Sequence, residues 1–313
     1  MAALTQQPSG DNPLAPRSKR LGEKAILAVL FACGAVSVIT TVAIVLVLAN
    51  ETIPFFQEVS WRRFLLDTEW QPFGSNLEVV RLGIWPLITG TMHVTVIGLA
   101  VAVPIGLAAA TYLSEYAEPK VRSTIKPTLE LLAGIPTVVL GFFALTTVTP
   151  FFRDVLGFEG MDFFNSFSGG LVVGVMLIPT VASVSEDAMS AVPNALREAG
   201  YGLGASRSRV ATKVVFPAAL SGIVAAIILA MSRAVGETMI VALAVGSRPT
   251  ITLNPFEQNQ TMTGYIAQSV GGEAARGSFQ YEALFAVGTT LFLMTLALNL
   301  IAAAVVRRFR QEY

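Results

Sequence analysis

The sequence is poor in the residues that build redox and metal sites. Its 313 residues include one cysteine and one histidine. A single cysteine excludes an internal disulfide, and these two residues together cannot form a cysteine–histidine metal cluster. Charged residues are scarce as well, since they make up 13% of the chain, against about 25% in soluble domains. Hydrophobic residues make up 53%, and this composition indicates a membrane protein.

The sequence also lacks the signatures of an enzyme. It contains no G-x-x-x-x-G-K-[ST] string, the glycine-rich loop that cradles nucleotide phosphates. It offers no Ser/His/Asp or Cys/His set for nucleophilic catalysis. The formal net charge is zero, so the overall balance gives no indication of a nucleic-acid partner. We therefore predict a non-catalytic chain that binds neither ATP nor a metal ion itself.

Six apolar segments are long enough to cross a bilayer, which takes roughly 20 helical residues. Their approximate bounds are 25–49, 86–113, 128–150, 169–190, 218–246 and 283–306. The first is too long for the apolar core of a signal peptide, so we predict an uncleaved span. The third and fourth contain helix breakers and are expected to be irregular helices inside a bundle; the breakers are Gly134, Pro136, Pro150, Gly174 and Pro179. The predicted fold class is an all-α integral membrane protein with six transmembrane helices.

The positions of lysine and arginine predict how these spans are oriented. Fourteen of these residues lie in the two termini and in the loops after the second and fourth spans, against six in the alternate loops. Because positive residues accumulate on the cytoplasmic side, we expect both termini to be cytoplasmic. The expected organisation is a partly disordered N-terminal tail (1–24), a six-span domain (25–306) and a C-terminal tail (307–313).

The longest predicted cytoplasmic loop, residues 193–217, is called the coupling loop below. It reads PNALREAGYGLGASRSRVATKVVFP. Pro193 and Asn194 give a helix start signal, and Gly204 gives a stop signal. The sequence therefore predicts a short helix over Ala195–Leu203, held between two breakers.

The coupling loop resembles the EAA loop of ABC importer permeases. The likeness rests on the spacing of Glu198, Ala199, Gly200 and Gly204, with Gly200 in place of the second alanine of the pattern. In that family the short helix docks into a groove on a separate ATPase subunit, and the resemblance implies the same role here. The alternative is an ordinary amphipathic loop helix.

The string SRAVGETM places Arg233 and Glu237 in the fifth apolar segment. Arg233 lies 15 residues beyond Ala218, roughly 22 Å into an apolar core about 30 Å thick. A charge at that depth costs about 2.5–3.5 kcal/mol, so the two charges need a partner or a water-filled cavity. At positions i and i+4 of one helix, they are expected to share a face.

Two interpretations of this pair stay open. One is a structural ion pair that fixes the geometry of the bundle. The other is an anion path, in which Arg233 offers a forked donor to an oxyanion and Glu237 limits how tightly the anion is held.

Three strings are similar to the phosphate-specific ABC importer permeases of the PstC type. They are ELLAGIPTVVLGFFAL, SRAVGETM and QTMTGYIAQ, and the likeness extends over about residues 25–308. The resemblance implies the type I ABC importer permease fold. It also implies that Arg233 and Glu237 take part in phosphate translocation.

The resemblance further implies a set of partners in a prokaryotic cytoplasmic membrane. These are a homologous permease, a cytoplasmic ATPase dimer that binds ATP and Mg²⁺, and an extracytoplasmic phosphate-binding protein. Two alternatives remain at this point. One is a permease for another oxyanion, such as sulfate or molybdate, and the other is a passive anion channel or receptor with a structural Arg–Glu pair.

Overall fold

The computed structural model describes residues 21–72, 80–272 and 277–309. The chain divides into two compact units, residues 1–50 and 51–313. The described part of the first unit is helix α1 (Leu21–Glu58), which continues into the second unit. Most of the two predicted tails, residues 1–20 and 310–313, lies outside the described residues.

The first half of the second unit is largely helical. Its helices are α2 (Trp61–Leu66), α3 (Trp85–Glu115), α4 (Pro119–Ala133), α5 (Thr137–Phe143) and α6 (Ser166–Ser190). Two π-helical turns, Ala144–Val148 and Phe151–Val155, extend α5. Between α2 and α3, strands β1 (Trp70–Gln71) and β2 (Arg81–Leu82) pair antiparallel, with Trp70 opposite Leu82.

The second half begins with the coupling loop. Its helices are α7 (Asn194–Gly202), α8 (Arg207–Val210), α9 (Phe216–Ala218), α10 (Leu220–Val235), α11 (Met239–Ala244), α12 (Met262–Val270) and α13 (Phe279–Phe309). A π-helical turn, Ala211–Val215, joins α8 to α9.

The number of spans agrees with the prediction once one bend is taken into account. In the described part of the chain, five helices are long and apolar enough to cross a membrane: Lys24–Glu58, Trp85–Glu115, Thr137–Val155, Ser166–Ser190 and Phe279–Arg307. The segments Arg207–Ala218 and Leu220–Val235 make a sixth span if they are taken together, bent by 72°. The all-α, six-span prediction is confirmed, with a broken fifth span.

The predicted helix breakers act in one span and not in the other. Gly134 and Pro136 separate α4 from α5, as the sequence predicts. Helix α6, in contrast, continues through Gly174 and Pro179. The prediction that the fourth span is an irregular helix is therefore wrong. A side-chain carbon at Gly174 would lie 2.8 Å from the carbonyl oxygen of Gly98 in α3. This glycine therefore permits close packing between α3 and α6 and does not break the helix.

Three apolar clusters hold the second unit together. The largest joins α3, α5, α6, α10 and α11. A second joins the end of α1 to α2, the strand pair, α12 and α13, and a third packs the coupling loop against α3, α6 and α10. Arg233 lies in α10 and Glu237 directly before α11, so the largest cluster holds the helices next to both residues.

Candidate translocation and coupling sites

Arg233 and Glu237 lie on either side of a helix end. Helix α10 ends at Val235, and α11 begins only at Met239. The predicted placement of both side chains on one face of a continuous helix is therefore wrong. No ion pair joins the two side chains, both of which the structure describes. The helix stops here because Gly236 caps α10 and the Glu237 carboxylate bonds to the next helix.

The carboxylate of Glu237 caps α11. Its Oε1 accepts hydrogen bonds from the backbone N–H of Met239 at 3.0 Å and of Ile240 at 3.2 Å. The residue is buried, with 8% of its surface exposed. An acidic group at a helix N-terminus satisfies otherwise unpaired N–H groups and is favoured by the helix dipole. The cost of burying this charge is thus partly offset by its own backbone.

The Arg233 side chain is exposed on the surface of the chain, although it lies within a span. Its Nη1 donates to the hydroxyl of Thr180 in α6 at 3.2 Å. The other guanidinium donors have no partner among the residues that the structure describes. A charge in a span needs water, a ligand or a neighbouring subunit. Arg233 therefore has donors available for a group that this chain does not supply.

The three strings noted in the sequence meet around Glu237. Thr263, from QTMTGYIAQ, donates its hydroxyl to the backbone carbonyl of Glu237 at 2.6 Å. Gly141, from ELLAGIPTVVLGFFAL, packs against the segment after Glu237: a side-chain carbon there would lie 3.0 Å from both Ile240 Cα and Met239 O. Segments far apart in sequence thus form one site.

The start of QTMTGYIAQ is held against α3. Thr261 caps the N-terminus of α12. The backbone N–H of Met262 donates to the Thr91 hydroxyl in α3 at 3.0 Å. A side-chain carbon at Gly90 would lie 2.3 Å from the carbonyl oxygen of Gln260, so only glycine permits this approach. Helix α3 therefore supports the site through the start of α12.

The short helix predicted in the coupling loop is confirmed as α7, shifted by one residue at each end. Gly204 follows it with a φ of 77°, a left-handed conformation that favours glycine. A side-chain carbon at Gly200 would lie 3.0 Å from Val210 Cγ2. This contact explains why glycine stands at the second alanine position of the EAA pattern. Glu198 and Ala199 are exposed, so they are free to contact another subunit.

A buried carboxylate at the coupling-loop end of the bundle was not predicted from the sequence and was missed. Glu186 of α6 has no exposed side-chain surface and pairs with Arg122 and Lys126 of α4. Lys126 also bonds to Asp187, and the hydrogen bonds to Asp187 and then Glu186 raise the pKa of Lys126. Because these partners lie 60 or more residues apart, no local pattern reveals them.

A second buried carboxylate was missed in the same way. Glu115, at the end of α3, pairs with Arg197 of α7 at 2.9 Å. Arg197 stands directly before Glu198 in the EAA pattern, yet the pattern itself carries no signal for it. This pair fixes the short helix to the membrane helices.

Comparison with known proteins identifies the family. Residues 102–311 match the family described as "Binding-protein-dependent transport system inner membrane component". The match covers well over half of the chain. The chain belongs to this family. It is an ABC transporter permease subunit, a multi-pass protein of the plasma membrane, and the resemblance noted in the sequence is confirmed.

Relatives over most of the chain fit this assignment. "Probable ABC transporter permease protein YqgH" of Bacillus subtilis is 33% identical over 282 residues, which are 89% of each chain. "Phosphate transport system permease protein PstC" of Haemophilus influenzae is 32% identical over 265 residues, 79% of this chain and 82% of the relative. Permease subunits of this family are non-catalytic, and separate ATPase subunits hydrolyse ATP, as the absence of a nucleotide-binding string predicts.

Solved structures share the fold. A bacterial alginate ABC transporter matches with a TM-score of 0.62 at 16% identity, covering 93% of this chain and 98% of the other. The MetNI methionine ABC transporter in inward-facing conformations matches with a TM-score of 0.54 at 20% identity, covering 73% and 95%. At these identities the likeness concerns the fold alone, and it confirms the type I ABC importer permease prediction.

Proposed function

We propose that this chain is a membrane subunit of an ATP-driven phosphate importer and forms the phosphate path together with a homologous permease. The PstC relatives and the three strings around Glu237 support phosphate as the cargo. In this arrangement a cytoplasmic ATPase dimer binds ATP and Mg²⁺, and an extracytoplasmic phosphate-binding protein delivers the anion. Both termini lie in the cytoplasm, as the positive-inside pattern predicts.

The observation that carries the proposal is the exposed Arg233 side chain in the broken fifth span. Its guanidinium makes one hydrogen bond within the described part of the chain, to Thr180. The remaining donors form the planar fork that suits phosphate oxygens. Because the side chain is exposed, a second permease facing this surface would enclose it and any bound anion.

Glu237 adds a negative charge four residues further along the chain. Its carboxylate is held by the α11 backbone, so it does not neutralise Arg233 by direct contact. A nearby fixed negative charge weakens the binding of a divalent anion. We infer that this arrangement lets Arg233 attract phosphate and still release it.

Substitution of Arg233 tests the proposal. We expect Arg233→Gln to abolish uptake of labelled phosphate by cells or liposomes that hold the complete transporter, because the charged fork is lost. The amount of assembled complex should stay the same, since the side chain has one protein contact. Arg153→Gln is the matched control: Arg153 also lies in a span but is paired with Asp154. Normal phosphate uptake by the Arg233 variant would contradict a role of Arg233 in translocation.

Competition experiments separate the alternative cargoes. Unlabelled phosphate should reduce the uptake of labelled phosphate by competition, whereas equal concentrations of sulfate or molybdate should not. If sulfate or molybdate suppressed this uptake as strongly as unlabelled phosphate does, the result would identify another oxyanion as the cargo. Uptake that continues without ATP would instead indicate a passive channel.

A further inference from the structure

Arg197 of α7 uses every donor of its guanidinium. Nε and Nη2 donate to the Glu115 carboxylate, with Nη2 at 2.9 Å from Oε1. Nη2 also donates to the carbonyl of Met189 at 2.8 Å. Nη1 donates to the carbonyl of Val192 at 2.5 Å and to Asn194 Oδ1 at 3.3 Å. Since arginine has five N–H donors, this side chain is fully bonded.

Glu115 is buried and most of the Arg197 side chain is covered, although α7 itself is a surface helix. The Glu115 side chain is 3% exposed and that of Arg197 is 14% exposed, whereas α7 has no buried residue. The Ser114 hydroxyl also donates to Glu115 Oε1 at 2.9 Å. A buried carboxylate satisfied in this way holds its partner in one geometry. Arg197 is therefore a polar attachment of α7 to the bundle, beside the apolar packing of Leu196.

The partners of Arg197 belong to two different membrane helices. Glu115 is the last residue of α3, and Met189 lies in the last turn of α6. The Met189 carbonyl also accepts a backbone hydrogen bond from Val192 N–H at 3.2 Å, and the Val192 carbonyl lies two residues beyond the helix end. Arginine commonly bonds to carbonyls at such a helix C-terminus. One side chain thus joins α3, α6 and α7.

Helices α3 and α6 are packed too closely to move independently. A side-chain carbon at Gly106 would lie 2.7 Å from Val181 Cβ, and one at Gly170 would lie 2.7 Å from Ile97 Cγ2. Close-packed interiors transmit displacement because neighbouring atoms have no free volume to enter. A displacement of one of these helices must carry the other with it.

Helix α6 contacts Arg233, and α3 supports the neighbouring Glu237 segment. Thr180 of α6 accepts the hydrogen bond from Arg233. Thr91 of α3 accepts one from the N–H of Met262, and the adjacent Thr263 bonds to the Glu237 carbonyl. The alternative route along the chain, through α8 and α9, passes the 72° bend before α10. A contact path from α7 that avoids this bend runs through Arg197, α3 and α6.

We propose that Arg197 is a positioning residue that makes α7 move as one body with α3 and α6, so that ATPase motion reaches the Arg233 site. The proposal rests on the proposed function in requiring ATP-driven import, and it does not depend on which anion is carried. It assigns a mechanical role to a residue next to the EAA pattern.

The test uses the complete transporter, with its ATPase subunits, in liposomes. Arg197→Lys keeps the charge but has three donors, which cannot serve all the partners of the guanidinium. The double variant Glu115→Gln/Arg197→Gln leaves no buried charge unpaired, so its assembly should survive. Arg209→Gln, an exposed arginine in the same loop, is the control. Two ratios are measured. The first is the number of ATP molecules hydrolysed per phosphate imported. The second, the stimulation ratio, is the rate of ATP hydrolysis with the cognate binding protein divided by the rate without it.

In the double variant, we expect the ATP hydrolysed per phosphate imported to rise and the stimulation ratio to fall, each by about 2- to 30-fold. This is the range found for residues that carry coupling between sites. Arg197→Lys should give a smaller change, and Arg209→Gln none. Wild-type ratios in an assembled double variant, or an equal change in the control, would overturn the proposal. If the wild type imports no phosphate but its hydrolysis is stimulated, the proposed cargo fails, and the stimulation ratio still decides the role of Arg197.

Discussion

The carboxylate of Glu237 is bonded to the backbone of α11, while its charge lies near Arg233 in sequence. Its acceptor atoms and its charge therefore act on different neighbours. The acceptor atoms stabilise the start of α11, and in the proposed function the charge acts on an anion at Arg233. Substitutions that separate the two properties distinguish the structural role from the translocation role.

Replacing Glu237 by glutamine or alanine makes this separation. Glutamine keeps an acceptor oxygen, so Glu237→Gln should leave the melting temperature of the assembled transporter almost unchanged. Glu237→Ala removes the cap and should lower the free energy of unfolding by about 1 kcal/mol. Both variants lose the charge, so both should alter phosphate uptake. Equal destabilisation by the two substitutions would contradict the capping role.

At the scale of elements, the coupling loop owes its shape to two glycines with different functions. Gly200 is small because Val210 lies against it, whereas Gly204 has open space around it and a left-handed backbone. Only the second case is a conformational requirement. The turn after α7 therefore depends on Gly204, and the packing of α7 depends on Gly200.

A pair of alanine substitutions tests the turn. Gly204→Ala should destabilise the loop by about 1–2 kcal/mol, because alanine at positive φ is strained. It should also weaken the stimulation of ATP hydrolysis by the binding protein. Gly202→Ala is the control, since Gly202 ends α7, has no positive φ and leaves open space in which a methyl group would meet no atom within 4 Å. Comparable losses of thermal stability in both variants would refute the role assigned to the backbone of Gly204.

At the scale of the whole molecule, this chain is one part of a larger assembly. Its family consists of components of binding-protein-dependent transport systems. Two of its candidate functional features are exposed on the single chain: the Arg233 side chain and the Glu198 face of α7. The first lies within a span and the second at the coupling-loop end. These exposures fit a neighbouring permease and an ATPase, respectively.

Co-purification tests this organisation. The chain, extracted in mild detergent, should bring an ATPase subunit with it. Glu198→Arg should reduce the amount of ATPase recovered, because it reverses a charge on the proposed docking face. Glu159→Arg, an exposed residue away from the coupling loop, should have no such effect. A stable transport-active complex that contains no ATPase would argue strongly for the channel alternative.

Much of the fold was predictable because it follows from local patterns. Apolar length predicted the spans, and the start and stop signals predicted α7 to within one residue at each end. The continuous fifth span was predicted wrongly. Hydropathy reveals neither the bend before Leu220 nor the end of α10 at Val235. The capping of α11 by Glu237 was not among the two interpretations of the charged pair, a structural ion pair and an anion path.

The sequence by itself determined the membrane class, the number of spans, the EAA spacing and the presence of two charges in an apolar segment, because each is a property of composition or of short-range spacing. The tertiary structure decided what those charges contact. It bonded Glu237 to the next helix, joined Arg233 to Thr180 and Arg197 to Glu115, and brought three distant strings together. These contacts depend on how the helices pack, and residues far apart in sequence become neighbours only when the bundle forms.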